Sequence, residues 1–263
     1  MSSGKGKSVF LTSFNVLVTV FMLAPMVLVI LTSFTPGMFY EIPTTQWSLQ
    51  WYRAIIDVGF LNGFVVSMGL ALLAALVSLI LGFLAAFVMT RYVFKGKVMA
   101  DALFMAPIIV PAVALGVGLL QFYVNVGLYN TFFALLLAHV VITVPYIIRT
   151  AAVSLSAVSR EMELAAMDLG ATSRQSFVHV TMPLIKSGLI SGYIFAFLIS
   201  FGEVAMTIFI IGSKYTTLPV DMFNYMLQVN TPVIAAMSTL LIVFSIVLMV
   251  VLDRLFGLRT IIG

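Results

Sequence analysis

Ser159 to Pro183 read SREMELAAMDLGATSRQSFVHVTMP, a polar, charge-mixed island in a chain that is otherwise almost continuously apolar. Met162, Ala165, Ala166 and Leu169 recur at i, i+3, i+4 and i+7, which places them in one stripe on an α-helix. Arg160, Glu161 and Glu163 lie off that stripe. Ser159 stands where an N-cap belongs, and the two acids fall in the first turn, where the helix dipole favours them. Gly170 suits the left-handed position that ends a helix. Thr172-Ser-Arg-Gln175 then has the spacing of a capping box, and the second short helix it opens is expected to stop before Pro183. The island reads as helix, glycine corner, helix, with an apolar stripe that so short a loop cannot cover by itself.

Around the island lies a chain built for lipid. Of its 263 residues 62% are apolar and 8% charged, against about 25% charged in a soluble domain; the mean hydropathy is +1.20. There is no cysteine, so disulfides and thiol chemistry are excluded and the redox compartment is left undetermined. Six segments are long enough to cross a hydrocarbon core, which takes about 20 helical residues. They run approximately Val9–Phe34, Phe60–Thr90, Val98–Val124, Tyr129–Val153, Gly188–Ile211 and Val233–Leu252. The roughly ten-residue alternation of barrel strands is absent. The first run is too long for a signal-peptide core, and no small-residue cleavage site follows it, so it reads as a retained span. No internal repeat or low-complexity segment is evident. The expected fold is an all-α integral membrane protein of six transmembrane helices, a single domain over residues 1–263, with a cytoplasmic loop over 154–186.

Charge orients it. Lys5, Lys7, Arg91, Lys95, Lys97, Arg149, Arg160, Arg174, Lys186, Arg254 and Arg259 fall on one side of the predicted spans, and only Arg53 and Lys214 on the other. An excess of Lys and Arg marks cytoplasmic loops. Both termini and the island are therefore expected in the cytoplasm, as an even number of spans requires, and the net charge of +4 reports orientation rather than nucleic-acid binding. Of the outer loops, Thr35–Gly59 holds Trp47, Trp51 and Tyr52, the composition of an interfacial aromatic belt or of a contact with an external partner. Ser213–Pro232 carries the amphipathic stretch DMFNYM.

The chemistry of enzymes is missing. GKGKS at the N-terminus imitates a phosphate loop, yet that motif would need glycine where Met1 stands, and no strand or helix is expected to frame it. His139 and His179 are far apart and sit in no metal-ligand pattern, and no Ser-His-Asp or paired-carboxylate arrangement stands out. No catalytic residue, metal or cofactor is expected. The exception among the acids is Glu203, within the fifth predicted span. A charge mid-membrane costs roughly 2.5–3.5 kcal/mol on insertion scales, so such a residue faces a bundle interior or water. It reads equally as a cation-attracting group of a pathway or as a packing or gating residue bonded to Ser200 or Thr207. Gly202 beside it permits close approach, and Pro107, Pro111 and Pro145 are expected to kink their spans.

The spacing Ala165-Ala166, Gly170, Val180, Met182, Pro183 resembles the "EAA loop" of binding-protein-dependent ABC importer permeases. TRYVFKGK, MAPIIVPAVALGVGL, HVVITVPYIIRT and SFGEVAMTIFI extend the likeness from Ser48 onward, closest to the second permease of spermidine/putrescine-type importers. The resemblance implies the type I importer fold, a second six-helix permease, two cytoplasmic ATP-binding subunits that hold the ATP, and an external solute-binding protein. It also implies an ATPase-coupling loop drawn from Glu161, Glu163, Leu164, Ala165, Ala166, Asp168, Gly170, Val180 and Pro183. The pathway candidates are Glu203, Gly202, Ser200, Pro107 and Pro111. One residue departs from the family pattern: its motif glutamate aligns with Leu164, and Glu163 stands one residue, or about 100° of helix, away. Permeases for aminoethylphosphonate, opines or ferric ion share the subgroup. A stand-alone secondary transporter coupled through Glu203 is the rival from another class, and a membrane scaffold or assembly factor would account for the loop without Glu203.

Overall fold

A computed structural model describes residues 3–38, 46–229 and 231–256; Arg259 of the charge pattern lies outside them. Every element among them is helical. Five helices are long and apolar enough to cross a membrane, and six if one bent pair counts as a single span.

The chain divides into two compact units, residues 1–60 with 224–250, and 61–223 with 251–263. In the first, α1 (Ser3–Thr32) is long and apolar. It includes GKGKS, so a helix does occupy that segment, contrary to expectation. A phosphate loop must expose consecutive N–H groups outside a helix, and this stretch does not. Past α1, Tyr52 Oη meets Ser33 Oγ at 2.7 Å, Trp51 Nε1 donates to Thr35 O at 2.7 Å, and the Phe34 ring sits 5.4 Å from that of Tyr52 and 5.8 Å from that of Trp47. These aromatics tie α2 (Gln50–Val58) to the end of α1. The unit also holds most of α12 (Val233–Phe256).

The second unit carries the polar sites. Its long helices are α3 (Phe60–Arg91, in this unit from Leu61), α6 (Phe132–Ala157) and α9 (Met182–Gly202). α6 and α9 pack along each other through small residues. A Cβ on Gly188 would collide with Ser154 Oγ, and one on Gly192 with Thr150 Oγ1. Glycines four apart let two backbones approach closely where lipid supplies no hydrophobic drive. Gly82 of α3 lies against Ile147 in the same way: a Cβ added to it would stand 2.7 Å from the Cβ of Ile147. One core cluster gathers Leu70, Leu135, Ile142 and Met206, and a second gathers Met105, Ile148, Leu155 and Ile185.

Three helix boundaries differ from expectation. The predicted third span is two helices, α4 (Lys97–Ile109) and α5 (Ala112–Asn125), bent by 102°. Pro111 is the N-cap of α5 at φ −55°, ψ 131°, and two prolines four apart deny the helix the bond that would carry it through. Pro107 and Pro145 remain inside α4 and α6, which run on past them. The fifth span does not continue to Ile211. It stops at Gly202, Glu203 takes an extended conformation (ψ 126°), and the short α10 (Thr207–Ile210) follows. Nor does the helix of the island stop before Pro183. From α8 (Ser173–Ser176) it passes through a π-helical turn, Phe177–Thr181, into α9. The wider turn brings Pro183 into the first turn of α9, where a missing N–H costs nothing.

Candidate coupling surface and pathway cleft

The island folds as its capping signals require. α7 (Arg160–Asp168) ends in a glycine corner: Gly170 has φ +93°, Gly170 N–H donates to Met167 O at 2.9 Å and Ala171 N–H to Ala166 O at 3.1 Å. These are the paired bonds of a Schellman motif. Both arms of the capping box form, Gln175 N–H to Thr172 Oγ1 at 3.3 Å and Thr172 N–H to Gln175 Oε1 at 2.8 Å. Ser159 sits at the N-cap with extended backbone, but its hydroxyl makes no capping bond.

Glu163 faces inward, where its Oε1 accepts from Arg91 Nη2 at 2.7 Å and from Thr181 Oγ1 at 2.7 Å. Both Arg91 Nη atoms also reach Val158 O at 3.3 Å, and Ser176 Oγ donates to Glu163 O at 3.0 Å. The pair is largely buried, 13% and 19% exposed. The start of α7 is thus fastened from inside by the last residue of α3 and by the π turn.

With Glu163 turned in, the residues on either side of it are left bare. Met162 is 51% exposed, Leu164 46% and Leu169 91%. Glu161, Ala165 and Asp168 are exposed as well, and Ala166 is half-buried. Leu164 therefore stands exposed on the surface, while the neighbouring acid is committed within the chain. Gly170 and Pro183 are exposed too, and Val180 is half-buried on the π turn.

The pathway candidates separate. Glu203, Pro107 and Pro111 line one cleft of about 300 Å³, formed by the α4–α5 elbow with Ile142, Tyr146 and Ile199. Glu203 Oε1 accepts from Met206 N–H at 2.7 Å. Ser200 does not reach it: Ser200 Oγ lies 2.8 Å from Nδ1 of His139, and Thr207 Oγ1 lies 3.1 Å from Nε2 of the same ring. The expected bond from Glu203 to either hydroxyl is replaced by this one, because His139 is fully buried and both ring nitrogens need partners. Gly202 is the exposed last residue of α9, with nothing close to its Cβ position.

Sequence reasoning missed the partners. Arg91 counted only as a basic residue, His139 only as a metal ligand to be rejected, and Thr181 not at all. Gly188-x-x-x-Gly192 was the one legible signal among the missed features, the small-residue spacing of packed membrane helices.

Apolar spans, a broken helix at a cleft and a capped polar loop at one end define a polytopic helical membrane protein. Residues 78–259 match the family described as "Binding-protein-dependent transport system inner membrane component", and the chain belongs to that family. It is 29% identical over 239 residues to the spermidine/putrescine transport system permease protein PotC of Haemophilus influenzae, covering 90% of this chain and 93% of that one. To the putrescine transport system permease protein PotI of Escherichia coli it is 30% identical over 230 residues, 84% and 82%. The sulfate transport system permease protein CysT of Salmonella typhimurium is 26% identical over 239 residues, 84% and 86%. Among solved structures, a bacterial ABC transporter that imports alginate superposes with TM-score 0.68 at 13% identity, covering 97% of this chain and 98% of that one. The MetNI methionine ABC transporter gives 0.63 at 18%, 78% and 96%. The protein is a multi-pass permease of the inner membrane, and its relatives are transport proteins, not enzymes.

Proposed function

We propose that this chain is one of two permease subunits of an ATP-driven ABC importer, and that the pair forms the pathway for a small cationic, polyamine-like solute delivered by an external binding protein. Two cytoplasmic ATPase subunits hold and hydrolyse the ATP. α7 enters a groove on one of them, so that closure of the ATPases draws the loop and rocks the permeases. The observation that carries this reading is the outward surface of α7 and its C-cap, where Met162, Leu164 and Leu169 are exposed on an element held from behind by the Arg91–Glu163 pair. A clamped helix with a bare apolar face is built to be covered, and Leu164 makes that dock apolar at the position of the family's glutamate. The loop then faces the cytoplasm with both termini, in accord with the sorting of the basic residues. The polyamine-like solute rests on the relatives at 29% and 30% identity and on the single carboxylate in the cleft.

Purification from the native membrane tests it. A stoichiometric ATPase should accompany the chain, and Leu164→Asp, which buries a charge in the dock, should release it and abolish uptake. Gly170→Val, which forces a β-branched residue to φ +93°, should do the same in part. If no ATPase accompanies the wild-type chain, or Leu164→Asp transports normally, the importer reading is wrong.

A further inference from the structure

The bend between α4 and α5 leaves backbone acceptors without donors. Pro111 has no N–H, so the carbonyl of Pro107 loses its helical partner. Val110 N–H goes to Ala106 O at 3.0 Å, and among the described residues no backbone N–H reaches the carbonyls of Pro107, Ile108 or Ile109. The last carbonyls of a helix point past its C-terminus and carry the negative end of its dipole, about half a charge. α9 supplies a second such end at the same cleft. Its last turn tightens as Glu203 N–H turns to Ser200 O at 3.5 Å, so Ile199 O, on a residue that lines the cleft, loses its i+4 donor.

Two helix C-termini, one carboxylate and one aromatic ring therefore converge on about 300 Å³ whose remaining lining is aliphatic. We propose that this cleft is a subsite for a single aliphatic ammonium group, within the permease role argued above and dependent on it. Glu203 is the counter-ion. The Met206 N–H fixes its Oε1 and leaves the other lone pairs of the carboxylate for the ligand. An –NH₃⁺ has three donors and no acceptor, which suits carbonyls from α4 and α9 beside the carboxylate. Tyr146 offers a ring face to the cation, and Ile142 and Ile199 offer apolar surface to the methylene chain.

The same features exclude other ligands. An anion such as sulfate would meet a carboxylate and two negative dipole ends. A resident metal ion is poorly served, since the cleft offers one carboxylate and no group of three His, Cys, Asp or Glu side chains suited to a metal exists among the described residues. One carboxylate matches one ammonium, so a diamine is held here by one end.

Glu203→Gln isolates the charge, because the amide oxygen can still accept from Met206 N–H. In proteoliposomes holding the complete transporter and its binding protein, uptake of labelled putrescine at saturation should fall at least about tenfold, the loss of one charge-assisted contact. ATP hydrolysis should stay within about twofold of wild type, and Glu203→Asp should recover part of the uptake. Tyr146→Leu should cost about threefold. Unchanged putrescine uptake by Glu203→Gln overturns the subsite and leaves the permease role standing. ATP hydrolysis falling in step with uptake also overturns it, since that is the mark of a packing residue. If Glu203→Gln does not assemble, Tyr146→Leu decides: full uptake from an assembled complex rejects the subsite. A wild-type transporter that hydrolyses ATP but moves neither putrescine nor spermidine rejects the amine reading and the subsite with it.

Discussion

Glu163 and Glu203 are both half-buried acids near the ends of one helical rod, and their surroundings are opposite. Glu163 has a guanidinium and a hydroxyl, each at 2.7 Å, and its charge is consumed in holding α7 to α3. Glu203 has one backbone N–H and no cation, and faces a cleft. A buried charge that is fully paired positions structure; one left with a single neutral donor keeps its charge for something else. In the importer proposed above, the first environment suits transmission and the second suits contact with solute.

The largest disturbance should come from uncoupling the two ends. Gly192→Leu would drive a side chain into Thr150 of α6, and overpacking of this kind costs about 3 kcal/mol or more. The expected outcome is loss of detergent-stable protein on size-exclusion chromatography; a monodisperse, active variant would show that α6 and α9 can part without harm. Next comes the clamp. Arg91→Ala leaves Glu163 buried without its cation, at a cost of about 3 kcal/mol. It should lower Tm and the amount of ATPase that accompanies the chain, and the exchange Arg91→Glu with Glu163→Arg should restore part of both. Glu203→Gln, by contrast, keeps its backbone bond and should shift Tm by less than about 2 °C. A large loss of stability there would erase the distinction.

The smallest effect concerns Asp221 on α11 (Leu218–Gln228), outside the spans. Burial raises its pKa, and the hydroxyl of Thr216, which donates to Oδ1 at 2.8 Å, offsets this in part. A raised carboxyl pKa means that the folded state favours the proton. Stability is then greatest at low pH and declines as pH rises through the folded value. Asp221→Asn should remove that decline and raise Tm at neutral pH by no more than about 2 °C, since the group is partly exposed and screened. A lower Tm at neutral pH would mean that the charge is useful there.

Much of this was legible in the sequence because the signals are local. Gly170 and the Thr172–Gln175 box act over a few residues and formed as expected, and the apolar runs located the long helices, though not the break at Pro111 or the stop at Gly202. What escaped depends on neighbours distant in sequence. Arg91 meets Glu163 across 72 residues and His139 meets Ser200 across 61, and no periodicity reports such pairs. Pro183 looked like a stop and was not, because a π turn re-phased the helix before it. Pro111 looked like a kink and proved a full break, because Pro107 had already weakened the same turn. The candidate loop was thus readable down to its faces, with the inward turn of Glu163 the exception. The cleft was readable only as a list of unusual residues.

The passage from Ser173 to Gly202 without a stop has a mechanical meaning. Thirty residues at 1.5 Å each make a rod of roughly 45 Å, with the capping box at one end and the cleft carboxylate next to the other. A tilt of about 5° pivoting at either end sweeps the far end through some 4 Å, about the width of a methylene chain. In the importer proposed above, the island and the cleft would move as two ends of one lever, with the π turn an irregular joint within it.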